Sequence, residues 1–141
     1  MPDFVLDARL AADSIPVAEL PLSAVRLMRD ANYPWLILVP RQAGLAELID
    51  LPRADQTVLM AEIGRASEAL KASVPCEKLN VAALGIVVRQ LHVHVIARNN
   101  GDPAWPRPVW GAAHAKVYGA GEAEALADKL AAHLLQRSLE L

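Results

Sequence analysis

The sequence predicts an α+β fold, in which an antiparallel β-sheet of about five strands packs with one long helix and one C-terminal helix. Three observations support this class. The strand-like apolar runs are short, two longer stretches carry apolar residues at helical spacing, and strands do not alternate regularly with helices as in parallel α/β folds. The chain has 141 residues, which suffice for a buried core, so we expect a single domain over 1–141.

The composition narrows the class of function. Hydrophobic residues make up 54% of the chain and charged residues 21%, which excludes intrinsic disorder. The net charge of −2 argues against a basic nucleic-acid surface, and the single cysteine, Cys76, suits a reducing compartment. The N-terminus lacks the pattern of a signal peptide, and no apolar run reaches the ~18–20 residues of a membrane helix. We therefore expect a cytoplasmic protein without nucleic-acid or membrane partners.

The first half of the chain is predicted to contain three short strands. They lie at 4–6, 25–28 and 35–39. Between the first two, Pro16 and Pro21 indicate a short helical turn and a loop across 7–23, because proline punctuates regular structure. The third strand is continuously apolar up to Pro40, which is typical of a strand covered on both faces. We therefore place it at the centre of the sheet.

Two main helices are predicted. The longer covers 54–72, with Pro52 suited to its first turn, where a missing N–H costs nothing, and with Pro75 ending it. Its apolar residues recur at helical spacing: Val58, Leu59, Ile63, Ala66, Ala69 and Leu70. A short helix is predicted before it, at 46–49. The second main helix covers about 122–136, where leucines recur every fourth residue. These leucines are Leu126, Leu130 and Leu134.

The most informative stretch is the predicted last strand, 90–98, which follows a strand at 79–84 that ends at Gly85. Polar and apolar residues alternate at its start, and a strand directs alternate side chains to opposite faces. The alternation puts Gln90, His92 and His94 on one face, and Leu91, Val93 and Val95 on the other. We expect the apolar set to pack into the core and the polar set to face a common space.

Two histidines two positions apart on a strand lie about 6.5–7 Å apart, so both rings can act on one ligand. The residues alone leave three interpretations open: a solvent-facing pair without chemistry, a metal site, or an imidazole nucleophile that attacks phosphorus. A metal site needs further ligands, and neither His114 nor His133 has helpful spacing, so we expect no metal and no cofactor. The third interpretation needs donors for phosphate oxygens, which Gln90, His94 and the amides near Gly85 could supply.

Residues 90–96, Gln-Leu-His-Val-His-Val-Ile, resemble the signature of the histidine triad superfamily, with Gln90 in place of the first histidine. Residues 36–41 resemble the family's strand that ends in Val-Ile-Pro-Lys. The segment 102–111, with two tryptophans, resembles a bacterial branch that also carries glutamine at the first triad position. The resemblance covers about 4–111.

Three further residues match family positions. Asn80 and Gly85 resemble the asparagine and glycine of the family's phosphate loop, and Asp30 stands where the family has an acidic residue that contacts ribose. The resemblance implies that the chain hydrolyses or transfers a nucleotide at its α-phosphate, with His92 as the nucleophile that forms a nucleotidyl-histidine intermediate. It implies that His94 contacts phosphate oxygens or orients the nucleophile.

The implied substrates are a dinucleoside polyphosphate, a nucleoside phosphoramidate or a similar nucleotide conjugate, and the implied assembly is a homodimer. Three departures matter. Gln90 supplies neither charge nor a proton, residues 86–88 are apolar where relatives have polar donors, and Trp35 stands where many relatives have histidine. The alternative is therefore a catalytically weak nucleotide-binding or regulatory protein. Strand alternation would turn Arg89 away from the triad face, so we expect no catalytic role for it.

Overall fold

Five strands form one antiparallel sheet in the order β1-β2-β3-β5-β4, which confirms the predicted fold class. The structure is a computed structural model that describes residues 3–139, with side chains described for 3–135. The strands are β1 (Ser14–Glu19), β2 (Ser23–Met28), β3 (Trp35–Pro40), β4 (Lys78–Ala82) and β5 (Val93–Arg98). The helices are α1 (Ala8–Asp13), α2 (Arg53–Ser73) and α3 (Glu122–Leu139), with a 3₁₀ turn at Leu48–Asp50.

The start of the sheet differs from the prediction. Residues 4–6 lie outside the sheet, and the first strand is β1, which the sequence analysis assigned to a loop. The two prolines misled the interpretation. Pro16 is tolerated inside β1 because this strand is at the edge of the sheet and its register shifts between Pro16 and Ala18.

The last strand begins three residues later than predicted, at Val93. The backbone N–H of Leu91 donates to the carbonyl of Leu45 at 3.0 Å, so this residue is held by a loop and not by a neighbouring strand. The strand predicted at 79–84 is β4, which ends at Ala82, and the short helix predicted at 46–49 is the 3₁₀ turn. Residues 83–92 therefore form a loop that leads directly into β5.

One face of the sheet is covered by α2 and α3 and forms the larger apolar core. Its buried side chains include Leu36, Leu38, Leu91, Val93 and Val95 from the sheet side and Leu59, Leu70, Leu130 and Leu134 from the helices. The predicted burial of the apolar set 91, 93 and 95 is confirmed. Each such side chain contributes about 1.5–3 kcal/mol when it is fully buried.

The opposite face is covered by α1 and by the loop 99–112. Its core contains Leu10, Tyr33, Trp35, Ile37, Val39, Ile96, Ala104 and Val109. His94 lies on this face because side chains alternate along β5, and the ring of His92, just before the strand, packs against the ring of His94. None of the described helices is long and apolar enough to cross a membrane.

A buried ion pair attaches the loop 99–112 to the sheet. Arg98, at the end of β5, is 3% exposed and donates to both carboxylate oxygens of Asp102, at 2.7 and 3.1 Å. Asp102 also accepts the backbone N–H groups of Ala104 and Trp105. Burial opposes ionisation of this carboxyl, but the hydrogen bonds from Arg98 and the backbone prevail and lower its pKa to about 2. The loop is thereby fixed over the face that carries the histidines.

Candidate active site

His92 lies immediately before β5 and is 7% exposed. Its Nδ1 is 2.7 Å from the backbone carbonyl oxygen of Gln90. A carbonyl oxygen only accepts, so Nδ1 carries the hydrogen, and the neutral ring keeps a lone pair on Nε2. This is the arrangement that nucleophilic attack by Nε2 requires.

His94, within β5, has the opposite arrangement. Its Nδ1 accepts the indole N–H of Trp35 at 2.9 Å, so in the neutral ring the hydrogen is on Nε2. Burial, and secondly the neighbouring His92, lower the pKa of His94 to about 4, which keeps this ring neutral near pH 7. The two imidazole centroids are 4.8 Å apart, with their planes at 68°.

The two tryptophans of the loop 99–112 have different environments. The ring of Trp110 lies edge-on against His94, with centroids 5.0 Å apart, and against Trp35, at 5.8 Å. Trp105 instead lies 5.9 Å from the guanidinium carbon of Arg98. The loop 99–112 therefore brings Trp110, and not Trp105, to the histidines.

A cleft of about 280 Å³ opens beside His92. The residues that line it include Glu47, Leu84, Gly85, Arg89 and Leu91. Gly85 has a φ of 69°, a left-handed conformation that favours glycine, where the chain turns into the loop 83–92. Gly85 and His92 line the same cleft.

Arg89 also lines this cleft, contrary to the expectation that it points away. The expectation assumed strand alternation through residue 89, but the strand begins at Val93, and alternation has no meaning in the preceding loop. The sequence analysis also missed Glu47, because nothing in the sequence relates the 3₁₀ turn to the loop 83–92. For Arg89, the only signal in the sequence was that a basic residue directly precedes the motif.

The alternation predicted that Gln90 shares the space of the two histidine rings, but its side chain lies elsewhere. Its side-chain Oε1 accepts the backbone N–H of Asp7 at 2.8 Å, and its Nε2 donates to the carbonyl of Val5 at 2.9 Å. The amide therefore holds the N-terminal segment, and Gln90 contacts His92 through its backbone carbonyl. An amide suits this position because one end accepts and the other donates without a titratable charge.

Asn80 and Asp30 lie away from the cleft and have partners of their own. The side-chain oxygen of Asn80 accepts from Arg98 at 2.8 Å. Asp30 accepts the backbone N–H groups of Asn32 and Lys116, at 3.0 and 3.1 Å.

The sheet register explains this separation. Ile96 is paired with both Asn80 and Trp35, and it lies four residues, about 13 Å, along the chain from His92. The turn that contains Asp30 precedes Trp35 and so lies at the far end of β5.

Within the part of the chain that the structure describes, no three His, Cys, Asp or Glu side chains are grouped closely enough to hold a metal ion. The described site offers two imidazoles whose Nδ1 atoms have different partners: the neutral form of His92 has its lone pair on Nε2, and neutral His94 has its N–H on Nε2. The guanidinium of Arg89 and the turn at Gly85 line the cleft beside His92.

Comparisons with known proteins agree with this architecture. A family model for the HIT domain matches residues 9–101. The chain is 50% identical to a histidine triad protein from Bradyrhizobium japonicum, over 94% of this chain and 99% of that one, with a TM-score of 0.91. It is 45% identical to a histidine triad protein from Sinorhizobium meliloti 1021 (94% and 96% covered, TM-score 0.86).

A histidine triad protein from Marinobacter aquaeolei VT8 is also similar, at 43% identity, with 96% and 98% covered and a TM-score of 0.91. Among the curated proteins, no match was found.

Proposed function

The chain belongs to the HIT domain family, and from this premise we propose that it binds a nucleotide conjugate and transfers or hydrolyses it at the α-phosphate through a nucleotidyl-histidine intermediate on His92. The observation that carries the proposal is the hydrogen bond from His92 Nδ1 to the carbonyl of Gln90, beside the cleft. It makes Nε2 the basic nitrogen of the ring, as a nucleophile requires.

The proposed reaction has two steps. Nε2 of His92 attacks the α-phosphorus, an N–P bond forms, and the bond to the leaving group breaks with its electron pair on the leaving atom. Water then attacks the same phosphorus and releases a proton to the solvent, and the N–P electron pair returns to Nε2. A second nucleophile in place of water would give transfer instead of hydrolysis.

Three kinds of donor near His92 support the binding of a phosphoryl group. These are the guanidinium of Arg89, the backbone N–H groups around Gly85 and the Nε2–H of His94. They compensate for the apolar side chains at 86–88, where the family has polar donors. The proposed roles of Asn80 and Asp30 in binding receive no support from their contacts, since both are engaged elsewhere.

The charge of the cleft favours one substrate class. Arg89 and Glu47 both line it, so one positive and one negative group lie near the phosphoryl position. A polyphosphate chain carries several negative charges and would need more cations than this cleft provides. Among the expected substrates we therefore favour a nucleoside phosphoramidate over a dinucleoside polyphosphate.

The alternative is a nucleotide-binding protein without significant turnover, which the apolar segment 86–88 favours. A turnover assay separates the enzyme from the binding protein. It compares the wild type, His92→Asn and His114→Asn with a nucleoside 5′-phosphoramidate as substrate. His114 is an exposed histidine outside the cleft and provides a matched control. We expect turnover by the wild type and His114→Asn and at least a 10³-fold loss in His92→Asn, roughly the contribution of a covalent nucleophile. Binding without turnover in the wild type supports the alternative.

We also propose that the chain forms a homodimer through the β4 edge of the sheet. β4 is at the end of the strand order and leaves one row of backbone groups unpaired in the single chain. Exposed apolar side chains surround this edge: Leu48, Met60, Val81, Leu84 and Ile86. Antiparallel pairing of β4 with its own copy would satisfy the edge and cover this patch by two-fold symmetry.

The oligomeric state tests this assembly. We expect sedimentation at the mass of a dimer for the wild type and of a monomer for Val81→Lys, which puts a charge within the paired edge. Val117→Lys, at a valine elsewhere that is more exposed than Val81, should remain dimeric. A monomeric wild type at tens of micromolar would contradict the proposed dimer.

A further inference from the structure

Trp35 is hydrogen-bonded to His94 and has no part in the proposed reaction. It begins β3, and the sheet register places it opposite Ile96, so its side chain lies on the same face as His94 and diagonal to it. Trp35 is 7% exposed and His94 is 5% exposed. The indole nitrogen and Nδ1 of His94 are 2.9 Å apart.

The chemistry of the indole makes this bond one-directional. An indole N–H donates and has no acceptor lone pair, so Nδ1 of His94 must be unprotonated when the bond forms. A neutral imidazole has a single N–H, which is therefore on Nε2. A histidine at position 35 could donate or accept and would leave the tautomer of His94 undetermined.

Aromatic neighbours hold the indole in this position. Tyr33 lies edge-on to Trp35, with centroids 6.2 Å apart at 69°, and Trp110 lies edge-on at 5.8 Å and 90°. Rotation of Trp35 away from His94 would disrupt both contacts in a buried cluster. Nε2 of His94 has no hydrogen-bond partner among the residues that the structure describes, so its N–H is available to a ligand.

We propose that Trp35 is a positioning residue that fixes His94 as the Nε2–H tautomer, so that His94 donates a hydrogen bond to a non-bridging oxygen of the phosphoryl group while His92 attacks the phosphorus. This inference rests on the proposed function. The Nε2 atoms of the two neighbouring rings then have opposite roles: that of His92 offers a lone pair, and that of His94 offers an N–H. The different partners of their Nδ1 atoms, a carbonyl and an indole, set this difference.

Nitrogen-15 NMR of the histidine side chains tests the tautomers directly. At pH 8 we expect His94 to show a protonated Nε2 and an unprotonated Nδ1, and His92 to show the reverse. Trp35→Phe removes the donor, and we expect the His94 signals to move toward the average of two tautomers. Replacement of Trp35 by 3-benzothienylalanine, which has sulfur in place of the N–H in a ring of the same shape, should have the same effect if the phenylalanine variant does not fold.

Trp105→Phe is the matched control, because Trp105 lies in the aromatic region but contacts Arg98 and not His94. It should leave the His94 tautomer unchanged. In kinetics with a nucleoside phosphoramidate, we expect kcat of Trp35→Phe to fall about ten-fold with little change in KM, as for loss of a residue that orients a contacting group.

A wild-type His94 protonated on Nδ1 overturns the proposal, and so does an unchanged kcat in a Trp35→Phe variant whose tautomer has changed. A wild type that turns over no substrate, but shows the expected tautomers and their loss in Trp35→Phe, supports the tautomer assignment and contradicts the proposed function.

Discussion

The two faces of the sheet use the same strands but are stabilised differently. The face under α2 and α3 is packed almost entirely by aliphatic side chains. The opposite face carries the two histidines, the cluster around Trp35 and a buried arginine, under a loop and a single short helix. The helical face depends on burial of apolar area, whereas the histidine face depends on a small number of directed hydrogen bonds and one ion pair.

This difference separates stability from chemistry within one sheet. Residues of β5 alternate between the faces, so neighbouring residues such as Val93 and His94 serve different purposes. A defect on the helical face should lower the free energy of unfolding and leave the turnover of folded molecules intact. A defect on the histidine face should affect both.

The largest effect is expected from Asp102→Asn, on the histidine face. It removes the charge that neutralises the buried Arg98, and we expect the free energy of unfolding to fall by about 3–5 kcal/mol, because an uncompensated buried charge is left. Urea denaturation measures this change. The exposed pair of Arg41 and Glu19 is the control, since Glu19→Gln should cost less than about 1 kcal/mol. If both variants lowered the free energy of unfolding equally, the buried pair would stabilise the fold no more than the exposed pair, which would contradict this account.

Next in size is Leu130→Ala, on the helical face. This leucine is fully buried between α3 and the sheet, and its truncation should cost about 2–5 kcal/mol. We expect kcat, corrected for the folded fraction, to be unchanged, as checked by denaturation and kinetics on the same preparation. A large loss of kcat in folded protein would show that the two faces are coupled.

The pH dependence of stability should reveal His94. Its pKa is about 4 in the folded protein and about 6.5 when unfolded, so the unfolded chain binds the proton more tightly. Stability from this group is present above pH 6.5 and is lost as the pH falls toward 4, by up to about 3 kcal/mol. Urea denaturation across this range should show the loss in the wild type and a smaller one in His94→Asn. The pKa of Asp102 is about 2, lowered from the ordinary value of 3.8, so the stability that this carboxylate contributes is lost only below about pH 3.8.

The smallest effect on stability is expected from Gln90→Glu. The carboxylate can accept from Asp7, but it cannot donate to the carbonyl of Val5, so we expect a cost of about 1–3 kcal/mol. Turnover should fall as well, because loss of the bond to Val5 loosens the backbone at residue 90, whose carbonyl orients His92. Denaturation and kinetics of Gln90→Glu test this. If Gln90→Glu retained full stability, the side chain would not be holding the N-terminal segment.

Much of the helical face could be predicted from the sequence, because periodic apolar residues report which side of a helix or strand is buried. The long helix and the burial of Val93 and Val95 follow from such patterns. Two elements were predicted wrongly because a tertiary contact overrode a local sequence rule. β1 tolerates Pro16 because it is an edge strand, and β5 begins after Leu91 because Leu91 bonds to a distant loop.

The histidine face was predictable only in part. The motif identified His92 and His94 as neighbours, and the hydrogen bond from His92 to a backbone carbonyl matches the requirement for a nucleophile. The contacts of Gln90, Asn80 and Trp35 join residues 18 to 85 positions apart, and no local pattern encodes such pairs.

The central claim is that His92 is the nucleophile, and intact-protein mass spectrometry after rapid acid-free quenching of a reaction with a nucleoside 5′-phosphoramidate tests it most directly. We predict a mass increase of one nucleotidyl group on the wild type, located by fragmentation on His92 and absent in His92→Asn. Turnover without any adduct on the wild type, or an adduct located on another residue, would contradict the account.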